Sequence, residues 1–302
     1  MDQDISTQQR MKVGAVGLGR MGAPIAQALR DAHPVSVYDV HGERIREAGF
    51  DDARVSSLEE LAGACDVLVT VLPGVEELAS VMRSALPVLP SGALWIDLTS
   101  GDPRTTRVLG ADAHRYGIDV VTAPMGGSVP EAIAGELVFF VSGTDAAIER
   151  ATPVLGLLAA DDGIRWCGRR AEDGQIVKLL ANALWFAHTL AGSEAMLVGS
   201  AHGLPTEHLH RLLRGSAGGS RFLDRDLDRL LDGNYLKTFA IDRVAEELDT
   251  VAAIGTVAGV AMPVLDASAA LHRDASDRFG PALGELLGAR LIEEQSGRQL
   301  RR

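Results

Sequence analysis

The first half of the chain alternates short apolar runs with amphipathic stretches, whereas the second half carries only a helical period. Lys12 to Gly17 (KVGAVG), Val35 to Tyr38, Val67 to Leu72 (VLVTVL), Leu94 to Leu98 and Ile118 to Thr122 are short and almost continuously apolar. Runs of that length, bounded by Gly, Pro or Asp, suit parallel strands buried on both faces. Helical patterns lie between them: through Ile25, Ala28 and Leu29, from Val75 to Ser84 after the Pro73-Gly74 turn, and from Pro103 to Tyr116. Ser57-Leu58-Glu59-Glu60 has the spacing of a capping box opening a further short helix. A strand over Leu137 to Ser142, a helix from Asp145 to Leu158 and a last strand around Ile164 to Cys167 complete the series. The alternation predicts a doubly wound α/β domain over residues 11–171.

From Glu172 to His202 the pattern predicts one helix, roughly 45 Å long at 1.5 Å per residue. Its small residues Ala187, Ala191, Gly192, Ala195 and Gly199 predict another helix packed closely on it. Leu204-Pro205-Thr206 ends it, and Gly215 to Ser220 is a loop. The Asp/Arg run from Arg221 to Asp232 reads as a solvated helix face. Further helices are expected over Ile241 to Val260, Pro263 to Phe279 and Leu283 to Glu294, with Gln295 to Arg302 frayed. Residues 172–294 therefore form an all-helical domain, one that would draw part of its burial from a partner subunit.

Composition narrows the function classes. Apolar residues make up 46% and charged ones 23% of 302 residues, and the net charge is -12. That charge, with no basic tract before Arg298, Arg301 and Arg302, argues against a nucleic-acid partner. Apolar runs break well before the ~18 residues of a membrane span. Met1 to Arg10 is polar and carries two Asp, unlike a secretory or organellar signal. Cys65 and Cys167 lie far apart with no CxxC, which reads as two reduced core thiols in a cytoplasmic setting. The eight histidines are scattered, with no metal-ligand spacing.

The chemistry begins where the first strand meets the first helix. Gly17-Leu18-Gly19-Arg20-Met21-Gly22 is G-x-G-x-x-G in its required strand–turn–helix context. Gly17 permits the turn, Gly19 lets a pyrophosphate approach the backbone, and Gly22 lets helix and strand pack closely. Asp39 ends the second strand 22 positions after Gly17. A carboxylate there accepts hydrogen bonds from ribose hydroxyls and repels a 2′-phosphate, which favours NAD over NADP. The rival reading of Asp39 is a helix cap. Leu72, Pro73, Thr99 and Ser100 fall at the carboxyl ends of strands, where such sheets place ligands, and are read as lining the cofactor. Gly126-Gly127-Ser128 offers backbone N–H groups and a hydroxyl to a small anion such as a substrate carboxylate, or is simply a flexible loop.

The second concentration of chemistry is Gly174-Gln175-Ile176-Val177-Lys178-Leu179-Leu180-Ala181-Asn182. Lys178 and Asn182 are four apart on a helix and share a face, which Trp185 and Thr189 continue. Ile176, Val177, Leu179, Leu180, Ala183 and Leu184 are expected to pack around that stripe. A lysine amid so many apolar neighbours needs partners or a task, unless it snorkels to water. Trp185 is either a wall of a substrate pocket or a core tryptophan.

Together these residues resemble the β-hydroxyacid dehydrogenases, the family of 3-hydroxyisobutyrate dehydrogenase and tartronate semialdehyde reductase. The resemblance runs from Met11 to about Ile292. It rests on GLGRMG at Gly17 to Gly22, Tyr38-Asp39, Leu72-Pro73, the D-x-[ST] loop at Asp97, the Ala123-Pro124 turn, and Gly174-x-x-x-Lys178-x-x-x-Asn182. It implies a Rossmann-type doubly wound sheet, then an all-α C-terminal domain joined by a long interdomain helix, in a homodimer or homotetramer. It also implies an NAD-dependent enzyme that interconverts a small β-hydroxyacid and its semialdehyde or ketone. In that scheme Lys178 takes the hydroxyl proton as hydride leaves the carbon, and Asn182 holds the ammonium or the substrate oxygen. A free lysine titrates near 10.4, so an apolar site is needed to make it a base near neutral pH.

The sequence departs from the family in three places. Gly126-Gly127-Ser128 stands where the family has Ser-Gly-Gly, and Glu246-Glu247 stands near its late Lys-Asp pair. The loop Asp97 to Pro103 is as close to the imine reductases, whose usual Asp or Tyr is here Lys178. An imine or aldehyde reductase on the same scaffold, or a dinucleotide-binding protein without turnover, are the alternatives.

Overall fold

The computed structural model describes residues 10–302, so the reading of the start as free of a targeting signal falls, apart from Arg10, outside the described residues. The chain divides into two units, Met1–Lys178 and Leu179–Arg302.

The first unit runs β1 (Val13–Val16), α1 (Gly22–Ala32), β2 (Val35–Tyr38), α2 (Gly42–Glu47), α3 (Leu58–Ala64), β3 (Val67–Thr70), α4 (Val75–Ala85), β4 (Leu94–Asp97), α5 (Pro103–Arg115) and β5 (Asp119–Thr122). It continues through β6 (Met125–Gly126), α6 (Val129–Ala134), β7 (Leu137–Gly143), α7 (Asp145–Gly156) and β8 (Ala159–Gly168). The sheet has the order β2-β1-β3-β4-β5-β7, with β6 and β8 also paired to β7. β2, β1, β3, β4 and β5 are parallel, as the apolar runs predict.

The strands explain themselves by period. In β3, Val67 and Val69 pack into one core with Ile25 and Leu29 of α1 and Val154 of α7. Leu68, between them, packs into another with Leu61, Met82 and Leu109. Alternate residues reach opposite faces, and both faces are covered by helices, so Val67 to Val69 are all apolar.

β7 departs from the parallel pattern. It pairs antiparallel with β5 at Val121–Gly143 and with β6 at Met125–Phe139, in one unbroken register. β5 and β6 are thus one strand interrupted at Ala123-Pro124, where Pro124 has no N–H to donate but its carbonyl still takes the Phe140 N–H at 3.0 Å. The alternating pattern does not announce β6, α2 or α6; all three are six residues or fewer. The capping box forms at Ser57, whose Oγ takes the Glu60 N–H, and the Glu60 carboxylate also accepts from Ser56 at 2.9 Å.

α8 (Asp173–Ala201) opens in the first unit and is the longest helix of the chain. In the second unit follow α9 (Thr206–Leu213), a π-helical turn (Phe222–Asp226), α10 (Leu227–Leu231), α11 (Ile241–Ala258), α12 (Pro263–Phe279) and α13 (Leu287–Ser296). Ala240 and Leu283 make an isolated bridge, and no strand is found there among the described residues.

Five expectations are corrected. The Asp/Arg run is amphipathic, not simply solvated: Phe222, Leu223, Leu227, Leu230 and Leu231 are buried in the helical core, while Arg221, Asp224, Arg225, Arg229 and Asp232 are exposed. The C-terminal tail is not frayed. Leu300 is fully buried, its N–H donates to Glu293 at 2.6 Å, and Arg302 pairs with Asp228 and Asp232. Among the small residues of α8, Gly192 and Gly199 do admit neighbours, since an added Cβ would lie 2.9 Å from Phe222 and 2.3 Å from Leu209. Ala191 and Ala195 instead lie exposed, as do Val177, Leu180 and Leu184, so the apolar residues do not simply surround the Lys178 stripe. Cys65 is a core thiol, its pKa pushed up to about 11 by burial, but Cys167 is only half-buried, on β8.

Candidate active site

The glycine turn fits a dinucleotide. Gly17 sits at φ +92, and a Cβ there would lie 2.2 Å from the Val71 carbonyl oxygen. One on Gly22 would lie 1.9 Å from the Gly17 oxygen, whereas one on Gly19 would meet nothing within 4 Å. Gly17 and Gly22 are required by the turn itself; at Gly19 the backbone faces open space of the kind a pyrophosphate needs. α1 starts with no side-chain cap and no acid in its first turn, which keeps its positive end for an anion.

Asp39 is buried beside this turn. It accepts the Leu18 N–H at 2.7 Å and the His41 N–H at 2.8 Å, with Arg44 at 3.6 Å. The backbone of the glycine loop therefore fixes the carboxylate, which keeps lone pairs for ribose hydroxyls. Arg20 is exposed and Met21 half-buried at the turn.

The loops after β3 and β4 are tied together. Leu72 N–H donates to Thr99 Oγ1 at 3.2 Å, with Pro73 exposed and Ser100 half-buried beside them. Beneath them lies Asp97, a buried carboxyl that sequence reasoning placed in the loop motif but gave no role. Its Oδ1 accepts from Thr70 Oγ1 at 2.8 Å and from the Thr99 N–H at 3.1 Å, and its Oδ2 has no partner. Thr70 Oγ1 in turn accepts from Trp95 Nε1 at 3.0 Å. Burial pushes the Asp97 pKa up to about 6, against the pull of the Thr70 and Thr99 hydrogen bonds. The signal was an Asp inside the otherwise apolar Leu94-Trp95-Ile96-Asp97-Leu98.

Gly126 belongs to β6 and Gly127 has φ +121. Ser128 caps α6: Glu131 accepts from its N–H at 2.9 Å and from its hydroxyl at 2.6 Å. The hydroxyl assigned to an anion is thus engaged by a neighbouring carboxylate.

α8 brings the remaining residues. Gly174 must be glycine, because a Cβ would lie 2.2 Å from the Phe140 carbonyl oxygen; its N–H donates to Ser142 Oγ at 2.9 Å. Gln175, one residue on, bonds to the backbone of the loop after β4. Lys178 is buried, at 8% exposure. Asn182 Nδ2 donates to Glu247 of α11 at 2.7 Å. A carboxylate only accepts, so this bond fixes which end of the Asn182 amide faces Glu247 and leaves Oδ1 as the acceptor on the other side. Glu247, on the neighbouring helix, is marked in the sequence only as a departure from the family; the structure adds that it holds Asn182. Trp185 Nε1 donates to Asp226 at 3.2 Å and the ring packs edge-on against Phe186, the surroundings of a core tryptophan. Thr189 is fully buried, its hydroxyl donated to the Phe186 carbonyl, so the polar stripe ends before it.

No group of three or more possible metal ligands occurs among the described residues, and no helix there is long and apolar enough to cross a membrane.

Residues 12–168 match the family described as the NAD binding domain of 6-phosphogluconate dehydrogenase. Residues 173–288 match that described as NAD-binding of NADP-dependent 3-hydroxyisobutyrate dehydrogenase. The mitochondrial 3-hydroxyisobutyrate dehydrogenase of Homo sapiens is 30% identical over 257 residues, covering 80% of this chain and 75% of the relative. The chain belongs to the β-hydroxyacid dehydrogenase family. Another relative, the 2-(hydroxymethyl)glutarate dehydrogenase of Eubacterium barkeri, is 27% identical over 263 residues, 85% of this chain and 86% of that protein. The fold is that of the solved 3-hydroxyisobutyrate dehydrogenase of Mycobacterium tuberculosis with L-serine, at TM-score 0.86 and 23% identity over 94% of this chain and 99% of that one. As a member of the β-hydroxyacid dehydrogenases, the chain is an NAD(P)-dependent oxidoreductase with an N-terminal Rossmann domain and a helical C-terminal domain.

Proposed function

We propose that the chain interconverts a small 3-hydroxyacid and its semialdehyde or ketone, with NAD as the preferred cofactor and Lys178 as the proton carrier. The observation that carries this reading is a buried lysine three residues after Gln175, on a helix whose first turn is fastened to Ser142 of β7 and to the loop after β4. Gly17, Leu18, Gly19, Arg20, Met21 and Gly22 would hold the pyrophosphate, Asp39 the adenosine ribose, and Leu72, Pro73, Thr99 and Ser100 the remainder. NAD, when bound, supplies a hydride acceptor for the carbon bearing the hydroxyl.

The protein's part is to move the proton. Lys178 takes it from the hydroxyl in oxidation and returns it to the carbonyl in reduction. Asn182, one turn on and oriented by Glu247, offers Oδ1 to the Lys178 ammonium, so the charged state is held in place after transfer. The substrate carboxylate is assigned to Gly126, Gly127 and Ser128, where the Ser128 hydroxyl would exchange Glu131 for the substrate. Trp185 is left out of the pocket, since Asp226 takes its N–H and its ring packs against Phe186.

Asp39 supports NAD over NADP, since a buried carboxylate repels a 2′-phosphate. The exposed apolar residues Leu180, Leu184 and Val198 along α8 support a homodimer or homotetramer.

A panel of 3-hydroxyacids, beginning with 3-hydroxyisobutyrate, tests the reading by NADH absorbance with the Lys178→Ala protein as blank. Turnover of one of them by the wild type alone is expected. Turnover only of cyclic imines, or of nothing while NADH binds, contradicts it. The Asp39→Asn protein is expected to lose at least tenfold of its preference for NAD over NADP, read as the ratio of kcat/KM values; an unchanged ratio counts against the ribose assignment.

A further inference from the structure

Gln175 bridges the helix that carries Lys178 and the loop that follows β4. It is buried, its Nε2 donates to the Thr99 carbonyl at 2.6 Å, and its Oε1 accepts the Gly101 N–H at 3.1 Å. One amide therefore pairs with the backbone on both sides of Ser100, as an adjacent strand would, and satisfies a donor and an acceptor of a loop with no ladder of its own. The loop has little slack on its other side, where a Cβ on Gly101 would lie 2.2 Å from Val75 Cγ1.

The helix end is equally fixed. Ser142 Oγ accepts the Gly174 N–H and donates to the Ala171 carbonyl at 3.0 Å, and Thr122 Oγ1 hydrogen-bonds Ser142 Oγ at 2.8 Å. Only an amide of this length makes both loop contacts. A carboxylate keeps the Gly101 bond but sets an acceptor against the Thr99 carbonyl, and asparagine is one methylene short.

We propose that Gln175 is a positioning residue for the reaction: it fixes the spacing between Lys178 and the Thr99–Gly101 backbone, so that proton carrier and cofactor-lining loop are held as one body. The inference rests on the reading of Lys178 given above. Misplacement by about 1 Å at a reacting group costs on the order of 10²-fold in rate. Cofactor affinity should change far less, because Asp97 and Leu72 hold Thr99 independently of Gln175.

The test compares Gln175→Leu and the isosteric Gln175→Glu with wild type, using NAD and 3-hydroxyisobutyrate. Both are expected to lose 10- to 100-fold in kcat at pH 8 with the NADH Kd within threefold of wild type. Gln175→Glu should recover relative to wild type as the pH falls, since a protonated carboxyl donates to Thr99 again. In a Lys178→Ala background either change should alter the residual rate less than twofold, the signature of a residue that acts through Lys178. Wild-type kcat in both variants, or a full multiplicative loss on top of Lys178→Ala, overturns the proposal. Lys178→Ala turning over at the wild-type rate overturns the reading of the site instead. Amide hydrogen exchange then decides the clamp without substrate: in Gln175→Leu the Gly101 amide should exchange at least tenfold faster while β4 is unchanged, and equal exchange overturns it.

Discussion

Two buried ionisable side chains outside the proton path give the two units opposite responses to pH. His272, on α12, is fully buried against Phe186, its Nδ1–H donated to the Ser268 carbonyl at 2.8 Å and its Nε2 without a partner. Burial lowers its pKa to about 4. An unfolded histidine titrates near 6.5, so between there and about 4 only the unfolded chain takes the proton, and stability falls as the pH falls. Asp97 has the opposite sign. With its pKa raised to about 6, the folded chain keeps a proton that the unfolded chain has shed, so stability falls as the pH rises from about 4 through 6. His272→Leu should therefore remove about 2 kcal/mol of the stability that the helical unit loses between pH 7 and pH 5. Urea unfolding at the two pH values measures it, and an equal loss in wild type and variant would show that His272 takes up a proton in the native protein as readily as in the unfolded chain.

At the scale of elements, the glycine turn divides into positions that hold the fold and one reserved for a ligand. Gly19→Ala should leave Tm within about 2 °C of wild type, because the new methyl meets no atom, yet weaken NADH binding at least tenfold by standing where the pyrophosphate approaches. Gly22→Ala should instead destabilise the domain by more than 2 kcal/mol, since its methyl meets a backbone oxygen that cannot yield. Thermal melts and NADH fluorescence separate the two, and a Gly19→Ala protein that binds NADH normally would remove the pyrophosphate from this turn.

The same elements show what the chain's pattern discloses. Strands buried on both faces are legible because their runs are almost continuously apolar, and α12 over Pro263–Phe279 is read to the residue because Pro and Gly bracket it. The six-residue α2 and α6 are too short to establish a period. The charged run at 221–232 hid its apolar residues because a π-helical turn shifts their spacing. The tail was misread because its anchor, Glu293 with Tyr235 and Arg301, pairs residues far apart in sequence. At the site, Gly17 to Gly22, Asp39 and Lys178 stand out through spacing. Gln175 and Glu247 do not, because their importance lies in which backbone or amide they touch.

For the whole molecule, the exposed face of α8 carries the question of assembly. Leu184 is 53% exposed and Val198 60%, on the helix that also bears Lys178. Light scattering after size exclusion should give a dimer or tetramer, and Leu184→Glu together with Val198→Glu should shift it to monomer. A monomeric wild type would show that this face needs no second copy.

The central claim concerns one amine and one proton. Stopped-flow measurement of NADH formation by wild type and Lys178→Ala on the same 3-hydroxyacid, with NADH affinity determined alongside, tests it most directly. A loss of 10²- to 10⁴-fold in the hydride-transfer rate, with NADH affinity within threefold, is expected when a general base is removed. Lys178→Ala turning over at the wild-type rate would contradict it.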